Sequence, residues 1–371
     1  MTRNVILHVA LGVATMAGAA CGGDGEPAPA EPEPVVTAVP GCEASGVLQY
    51  VCGPINAEDI VQVGDSDWLV VSGMNGQLTG TGVNGHIYLV NHRQKTYDEW
   101  FPGESPMFAP DTDTFGACPG PIDTASFSSH GLALREQEAG RYRLYMTGHG
   151  AREAIEVFDV DATGERPSLT WIGCVELPDG TFSNSVAILS DGGFVTTKMM
   201  DASVPFEEGL GAINSGAVTG NVYEWHPGGE VMAVPGTELS GANGIVVSSD
   251  DRRVFVTAIG TREMVRFDRS VSPPGKATVE LPVAPDNIRW TTDGTLYTIG
   301  ANVVPPGECA TPPCQTGWSV IEVNPDTLAA TRVAGADQNA TLQGASTGLR
   351  VGNEIWIGTY SGDRIGYLPA D

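Results

Sequence analysis

The chain has 371 residues, with 45 acidic against 19 basic side chains and a formal net charge of −26. A surface of that sign repels nucleic-acid phosphates and anionic lipid headgroups, which excludes both as direct partners, and it attracts cations. With 48 glycines and 26 prolines, the composition describes many short strands joined by turns rather than helices, and the length suffices for one large all-β domain or two small ones.

Residues 1–20 carry Arg3, an apolar stretch over residues 5–13, and small residues up to Cys21, the pattern of a secretory signal. Met16-Ala-Gly-Ala-Ala-Cys21 resembles a bacterial lipoprotein cleavage box, with Gly18 where leucine is usual. Acylation at Cys21 would be the only membrane contact and would place the protein in the cell envelope. Ordinary signal cleavage nearby would leave it periplasmic or secreted. Residues 21–40 are rich in Gly, Pro, Ala and Glu, with little to bury, and read as an extended linker to a domain over 41–371.

Six cysteines remain beyond Cys21. An even count in an exported chain points to disulfides. Cys42–Cys52 and Cys309–Cys314 are the natural local pairs, which leaves Cys118 and Cys174 by elimination.

From Glu58 onward a unit repeats: a polar residue, an apolar strand, a Gly/Asp/Ser turn, and a second strand ending near Thr, Ser or Gly. Copies start at Glu58-Asp59, His130, Asn184, Asn243, Asp286-Asn287 and Gln343, spaced roughly 40–70 residues apart. Weaker outer hairpins fall at residues 87–90, 155–159, 222–225, 264–267, 320–323 and 364–368. Six units of about four strands predict an all-β, six-bladed propeller of four-stranded antiparallel blades. The competing arrangement, two sandwiches, lacks a linker in mid-chain. The last unit is one strand short, and residues 46–52 are expected to supply that strand and close the ring, hiding the sheet edges.

In a propeller the first strand of each blade lines the central channel, so the polar residues at its start converge on one mouth. Glu58, Asn184, Asn243, Asp286 and Asn287 would bring two carboxylates and three amide oxygens together, a donor set that suits calcium better than zinc. The alternative for any one of them is a turn residue that hydrogen-bonds the backbone. His130 starts an inner strand and His149 follows the strand antiparallel to it, so the pair is expected to share that mouth, one taking a proton from water and the other orienting it or relaying charge. The alternative is two structural histidines, the reading given to His86, His92 and His226. Gly80-Thr-Gly-Val-Asn-Gly85 spells a dinucleotide fingerprint, but no helix follows it, and it is read as a loop over the channel. No Gly-x-Ser-x-Gly elbow occurs.

These residues resemble the paraoxonase/arylesterase family, six-bladed propeller hydrolases related to the gluconolactonase and strictosidine-synthase groups. The resemblance spans most of residues 56–371 and is carried by Asn56-Ala-Glu-Asp-Ile60, Ile122-Asp-Thr-Ala-Ser-Phe-Ser-Ser-His-Gly131, Gly241-Ala-Asn-Gly-Ile245, Pro285-Asp-Asn-Ile288 and Thr341-Leu-Gln-Gly344. It implies that Glu58, Asn184, Asn243, Asp286 and Asn287 hold a catalytic calcium and that His130 and His149 are the family's histidine pair. It also implies a second, structural calcium deeper in the channel, where Asp59 is retained but Ser185 stands in place of an acidic residue. The expected activity is hydrolysis of lactones and aryl esters by a monomer. The remaining alternatives are a gluconolactonase-like enzyme without the histidine pair and a non-catalytic binding propeller on a membrane tether. Specificity is assigned to loops over residues 73–85, 100–121 and 199–220.

Overall fold

The computed structural model describes residues 41–76, 84–303, 317–337 and 342–370. The chain opens with β1 (Gln49–Cys52), which is used only at the end of the ring. The first blade is β2 (Ala57–Gln62), β3 (Trp68–Gly73), β4 (His86–Asn91) and β5 (Thr96–Phe101). A two-residue strand, β6 (Met107–Phe108), precedes the second blade of β7 (Ser128–Glu138), β8 (Arg141–His149), β9 (Ala154–Asp161) and β10 (Ser168–Glu176). The third blade is β11 (Thr181–Ile188), β12 (Phe194–Asp201), β13 (Asn221–Trp225) and β14 (Met232–Ala233), with helix α1 (Phe206–Asn214) inserted before β13. The fourth is β15 (Ala242–Val247), β16 (Arg253–Ala258), β17 (Glu263–Asp268) and β18 (Gly275–Glu280). The fifth is β19 (Val283–Trp290), β20 (Leu296–Asn302), β21 (Trp318–Val323) and β22 (Ala330–Ala336). The sixth joins β23 (Ala345–Val351), β24 (Glu354–Thr359) and β25 (Arg364–Pro369) to β1.

The inner strands contact one another in the cyclic order β2, β7, β11, β15, β19, β23 and back to β2, so the sheets form a closed six-bladed propeller. Closure uses the N-terminal strand as expected: β1 pairs antiparallel with β25, Gln49 opposite Tyr367 and Cys52 opposite Arg364. Three details differ from the sequence reading. The outer segments are not separate hairpins but the third strand of each blade, paired with the second. The second blade gains β6, which runs parallel to β10. The stretch 199–220 holds α1, whose apolar residues Phe206, Leu210 and Ile213 pack on Met199 and Met200.

The burial pattern explains why the inner strands read as continuous apolar runs. Each blade is covered on both faces by its neighbours, so the inner strands β2 and β15 and the strands beside them, β3 and β16, are buried at nearly every position. The outermost β18 borders solvent and alternates instead. Six apolar clusters result, one between each adjacent pair of blades. In the seam between the sixth and first blades, Trp356 is fully buried against Ile60, Leu69 and Ile365, and a side chain of that kind contributes about 1.5–3 kcal/mol.

Disulfides Cys42–Cys52 and Cys118–Cys174 are present, with Cα separations of 6.0 and 5.2 Å. Both fit an oxidising, extracellular or periplasmic setting. Cys309, Cys314, the signal, Cys21 and most of the loop at 80–85 lie outside the described residues. Among those described, no helix is long and apolar enough to cross a membrane.

Candidate active site

In all six inner strands the ladder breaks register near the channel mouth, between Ala57 and Asp59, Ser129 and Leu132, Ser183 and Val186, Ala242 and Ile245, Pro285 and Ile288, and Ala345 and Thr347. The residues skipped are Glu58, His130-Gly131, Asn184-Ser185, Asn243-Gly244, Asp286-Asn287 and Ser346. A bulge re-aims a side chain that a regular pleat would place elsewhere, so the polar residues of the repeat occupy equivalent irregularities around one axis.

A bulge also frees backbone groups that need partners. The hydroxyl of Thr197 on β12 donates to the carbonyl of Asn243 at 2.6 Å, and Thr257 on β16 donates to that of Asp286 at 2.6 Å. Ser346 donates to the carbonyl of Glu58 at 2.6 Å. On β12 and β16 the Thr that closes the repeat thus satisfies a bulge in the next blade. The glycine after the site residue has a matching purpose. A Cβ at Gly131 would fall 2.5 Å from the Asn184 carbonyl oxygen, and one at Gly244 would fall 2.7 Å from the Asn287 Cα.

The predicted residues meet. Asn287 Nδ2 donates to Glu58 Oε1 at 2.7 Å and to Thr347 Oγ1 at 3.0 Å. Asn243 hydrogen-bonds the Asp286 carboxyl. His130 Nε2 lies 3.7 Å from Glu58 Oε1 and 3.3 Å from Asn184 Nδ2. Glu58, His130, Asn184, Asn243 and Asn287 are all buried. Asp286 is partly exposed as a residue, but its Oδ1 is enclosed.

Five oxygens at this centre are buried and accept no hydrogen bond: Glu58 Oε2, Asn184 Oδ1, Asn243 Oδ1, Asp286 Oδ1 and Asn287 Oδ1. Each such orphan costs about 1–3 kcal/mol. Isolated cases occur elsewhere, Thr298 and Trp318 among them, but here one comes from each of the five residues expected to hold the catalytic ion, and the hydroxyl of Ser185 beside Asn184 is also without a partner. Burial, reinforced by the charges of Asp286 and Asp59, holds the Glu58 carboxyl well above the usual carboxylate range. Burial pushes Asp286 up to about 8, against the hydrogen bond from Asn243. Among the described residues no three His, Cys, Asp or Glu side chains are grouped to hold a metal, so a cation here would depend on the amide oxygens as much as on the two carboxylates. Two carboxylates and three amides with open oxygens fit calcium, which takes roughly six to eight oxygen ligands in adaptable geometry.

The histidines form a chain that continues to a residue the sequence did not single out. His130 Nδ1 is 2.8 Å from His149 Nε2, and His149 Nδ1 is 2.7 Å from Glu153 Oε1. A carboxylate accepts, so Nδ1 of His149 carries hydrogen and its Nε2 accepts from Nδ1–H of His130. That leaves the lone pair of His130 Nε2 facing the carboxylate and amides. Asn184 Nδ2 donates to it at 3.3 Å, and Asn184 Oδ1 is left without a hydrogen bond. Burial, with His149 adding to it, holds the His130 pKa well below that of a free imidazole. Glu153 stands four residues after His149, in the turn between β8 and β9; an acid so soon after a site histidine is a weak signal by itself. His149 is the last residue of β8 rather than just past it. Its ring stacks on Phe182 at 4.8 Å, and Phe182 meets Phe206 of α1 edge-on at 5.9 Å, giving an apolar ledge beside the pair.

Asp59 points deeper and is fully engaged, with Arg289 as its ionic partner. The sixth blade contributes Ser346 and Thr347 rather than Gln343, whose carbonyl only accepts from Thr359. His86, His92 and His226 face Glu99, Asp67 and the Asp191–Glu224 pair, outside this centre. A cavity of about 380 Å³ opens at the opposite end of the channel, among Leu132, Ile245, Arg289 and Leu349. It shares none of the histidines.

No protein-family model matches the chain, and no curated protein matches it. Solved structures do. A protein of unknown function from Bacteroides thetaiotaomicron is 12% identical, with a TM-score of 0.53 over 87% of this chain and 76% of its own. Virginiamycin B lyase from Staphylococcus aureus is 12% identical, with a TM-score of 0.47 over 87% and 99%. The PQQ-bound aldose sugar dehydrogenase from Streptomyces coelicolor is 15% identical, with a TM-score of 0.49 over 88% and 97%. The first of these likenesses supports the fold and nothing finer, and the paraoxonase resemblance rests on the quoted motifs.

Proposed function

We propose that the protein is a calcium-dependent hydrolase of lactones and aryl esters, with lactones as its primary substrates. The observation that carries this reading is the set of five open, buried oxygens beside the lone pair of a neutral histidine. Glu58, Asn184, Asn243, Asp286 and Asn287 would hold the calcium ion, which when bound would polarise the substrate carbonyl and stabilise the developing oxyanion.

The chain's own residues supply the rest. Nε2 of His130 takes the proton of the attacking water. The positive charge that develops on its ring is stabilised because Nδ1–H donates to His149, which in turn donates to Glu153. Buried surroundings keep His130 uncharged near neutral pH and therefore available as a base. Phe182 and Phe206 give an aryl or alkyl group an apolar surface next to the reacting carbon. Water attacks directly, so no acyl-enzyme is required.

The test is hydrolysis of a small lactone and of phenyl acetate, with chelator and with calcium restored. Turnover that disappears with chelator and returns with calcium supports the proposal. If neither substrate turns over with calcium present, the tethered binding propeller takes its place. A His130→Gln variant with near-full lactonase activity would instead favour the gluconolactonase-like mechanism.

A further inference from the structure

Below the candidate active site, the channel axis is occupied by a guanidinium. Arg289 enters from the fifth blade, two residues beyond Asn287, and is buried. Its Nε donates to the Ile60 carbonyl at 2.9 Å, Nη1 to its neighbour Ile288 at 2.8 Å, and Nη2 to the Leu132 carbonyl at 3.1 Å and to Asp59 Oδ2. Asp59 has no oxygen left over. Oδ2 also accepts from the Leu132 amide at 2.7 Å, and Oδ1 accepts from the Ile60 amide at 2.9 Å and from Thr347 Oγ1 at 2.8 Å. The first, second, fifth and sixth blades are therefore tied together through one ion pair on the axis.

A deep divalent ion needs anionic or carbonyl oxygens free to turn toward it. Here the one carboxylate and the nearby carbonyls of Ile60 and Leu132 already accept from Arg289, and Ser185, whose buried hydroxyl is open, offers a single neutral oxygen and no charge. We infer that Arg289 is the built-in cation of the channel: it takes the place of a second metal ion, cross-links the blades at their axis, and separates the active-site mouth from the cavity at the other end. A guanidinium with donors in three directions suits that task and cannot dissociate. This holds whether or not the upper site binds calcium.

Two measurements on the full chain test it. The first is the number of ions retained after equilibration with calcium and removal of the excess, for the native protein and for Asp59→Asn. The same count, one at most, is expected in both, and a second retained ion in the native protein overturns the inference. A count that falls by one in Asp59→Asn overturns the inference, because Asp59 would then be a ligand. Native protein that retains no calcium defeats the proposed catalytic role and leaves this inference standing. The second is a melting cycle. Arg289→Met strands a buried carboxylate and should melt roughly 10 °C lower. Adding Asp59→Asn to it should recover at least half of that loss. Losses that simply add, or an unchanged melting temperature in Arg289→Met, overturn the inference. If Arg289→Met does not fold, Arg289→Lys substitutes for it in the same cycle: it keeps the charge and should melt between the native protein and Asp59→Asn/Arg289→Met.

Discussion

Glu153 Oε1 accepts from His149 Nδ1 at 2.7 Å, and this contact decides which nitrogen of each histidine carries hydrogen. Because Glu153 fixes His149, and His149 fixes His130, a carboxylate in a turn determines whether a lone pair of His130 faces Glu58 and Asn184.

Glu153→Gln tests that dependence. An amide can present either a donor or an acceptor, so the preferred tautomer is no longer enforced. Turnover of a lactone should fall about 10–100-fold, with KM nearly unchanged and the acidic limb of the pH–rate profile displaced. His130→Gln should cost more, about 10²–10⁴-fold. An unaltered profile in Glu153→Gln would remove it from the chain.

Glu58 and Asp286 predict an unusual pH dependence of the metal-free protein. Both bind protons more tightly folded than unfolded. Stability from that source is complete below the unfolded carboxylate pKa and is lost as pH rises through the folded values, about 8 for Asp286. The calcium-free melting temperature should fall on the order of 5 °C between about pH 5 and pH 9, and calcium should reverse the fall. Calcium added at pH 7 should release protons, measurable in weakly buffered solution. A flat melting profile would count against these carboxyls being buried together.

Asn243→Ala and Asn287→Ala each remove one open oxygen and one donor to a carboxylate. Calcium affinity should fall at least tenfold in each, read by isothermal titration, while the secondary structure stays intact. Full affinity in either would remove that residue from the ligand set.

Gly244→Ala places a methyl against the Asn287 backbone, and no rotamer change can relieve a backbone collision. Melting should drop by several degrees, roughly the 1–3 kcal/mol expected of overpacking, and calcium affinity should fall with it. Gly352→Ala is the control for chain flexibility: its Cβ meets nothing, although its positive φ adds a smaller strain of its own. Loss of stability without loss of affinity in Gly244→Ala would show that the approach of β15 to β19 does not shape the site.

The seam between the last blade and the first should dominate unfolding, since it holds the ring shut. Trp356→Ala deletes a fully buried ring there and should cost about 3–5 kcal/mol, read by denaturant unfolding.

Much was legible in local chemistry. The apolar runs, the turns between them and the polar residue ahead of each run are short-range signals, and six of them in series specified blades, closure by residues 46–52 and the members of the mouth. Cys42–Cys52 and Cys118–Cys174 followed from counting. Less visible were the features that depend on two distant strands. Whether Glu58 or Asp59 faces the open oxygens is settled by a bulge of one residue, and a shift of one residue reverses every side chain in a strand. Ser346 and Thr347 were hidden behind Gln343 for the same reason. Nothing local marks Arg289, because its carboxylate partner stands 230 positions earlier and meets it only when the ring closes. Glu153 needed the turn after β8 to be drawn back over His149.

The sequence by itself therefore determined the repeat, the all-β fold and the kinds of donor gathered at the channel mouth, because strand propensity and residue chemistry are properties of short segments. Only the tertiary structure decided which oxygens remain open, which histidine nitrogen is basic and that a guanidinium holds the axis. Those outcomes depend on ring closure, which brings into contact groups that are far apart along the chain.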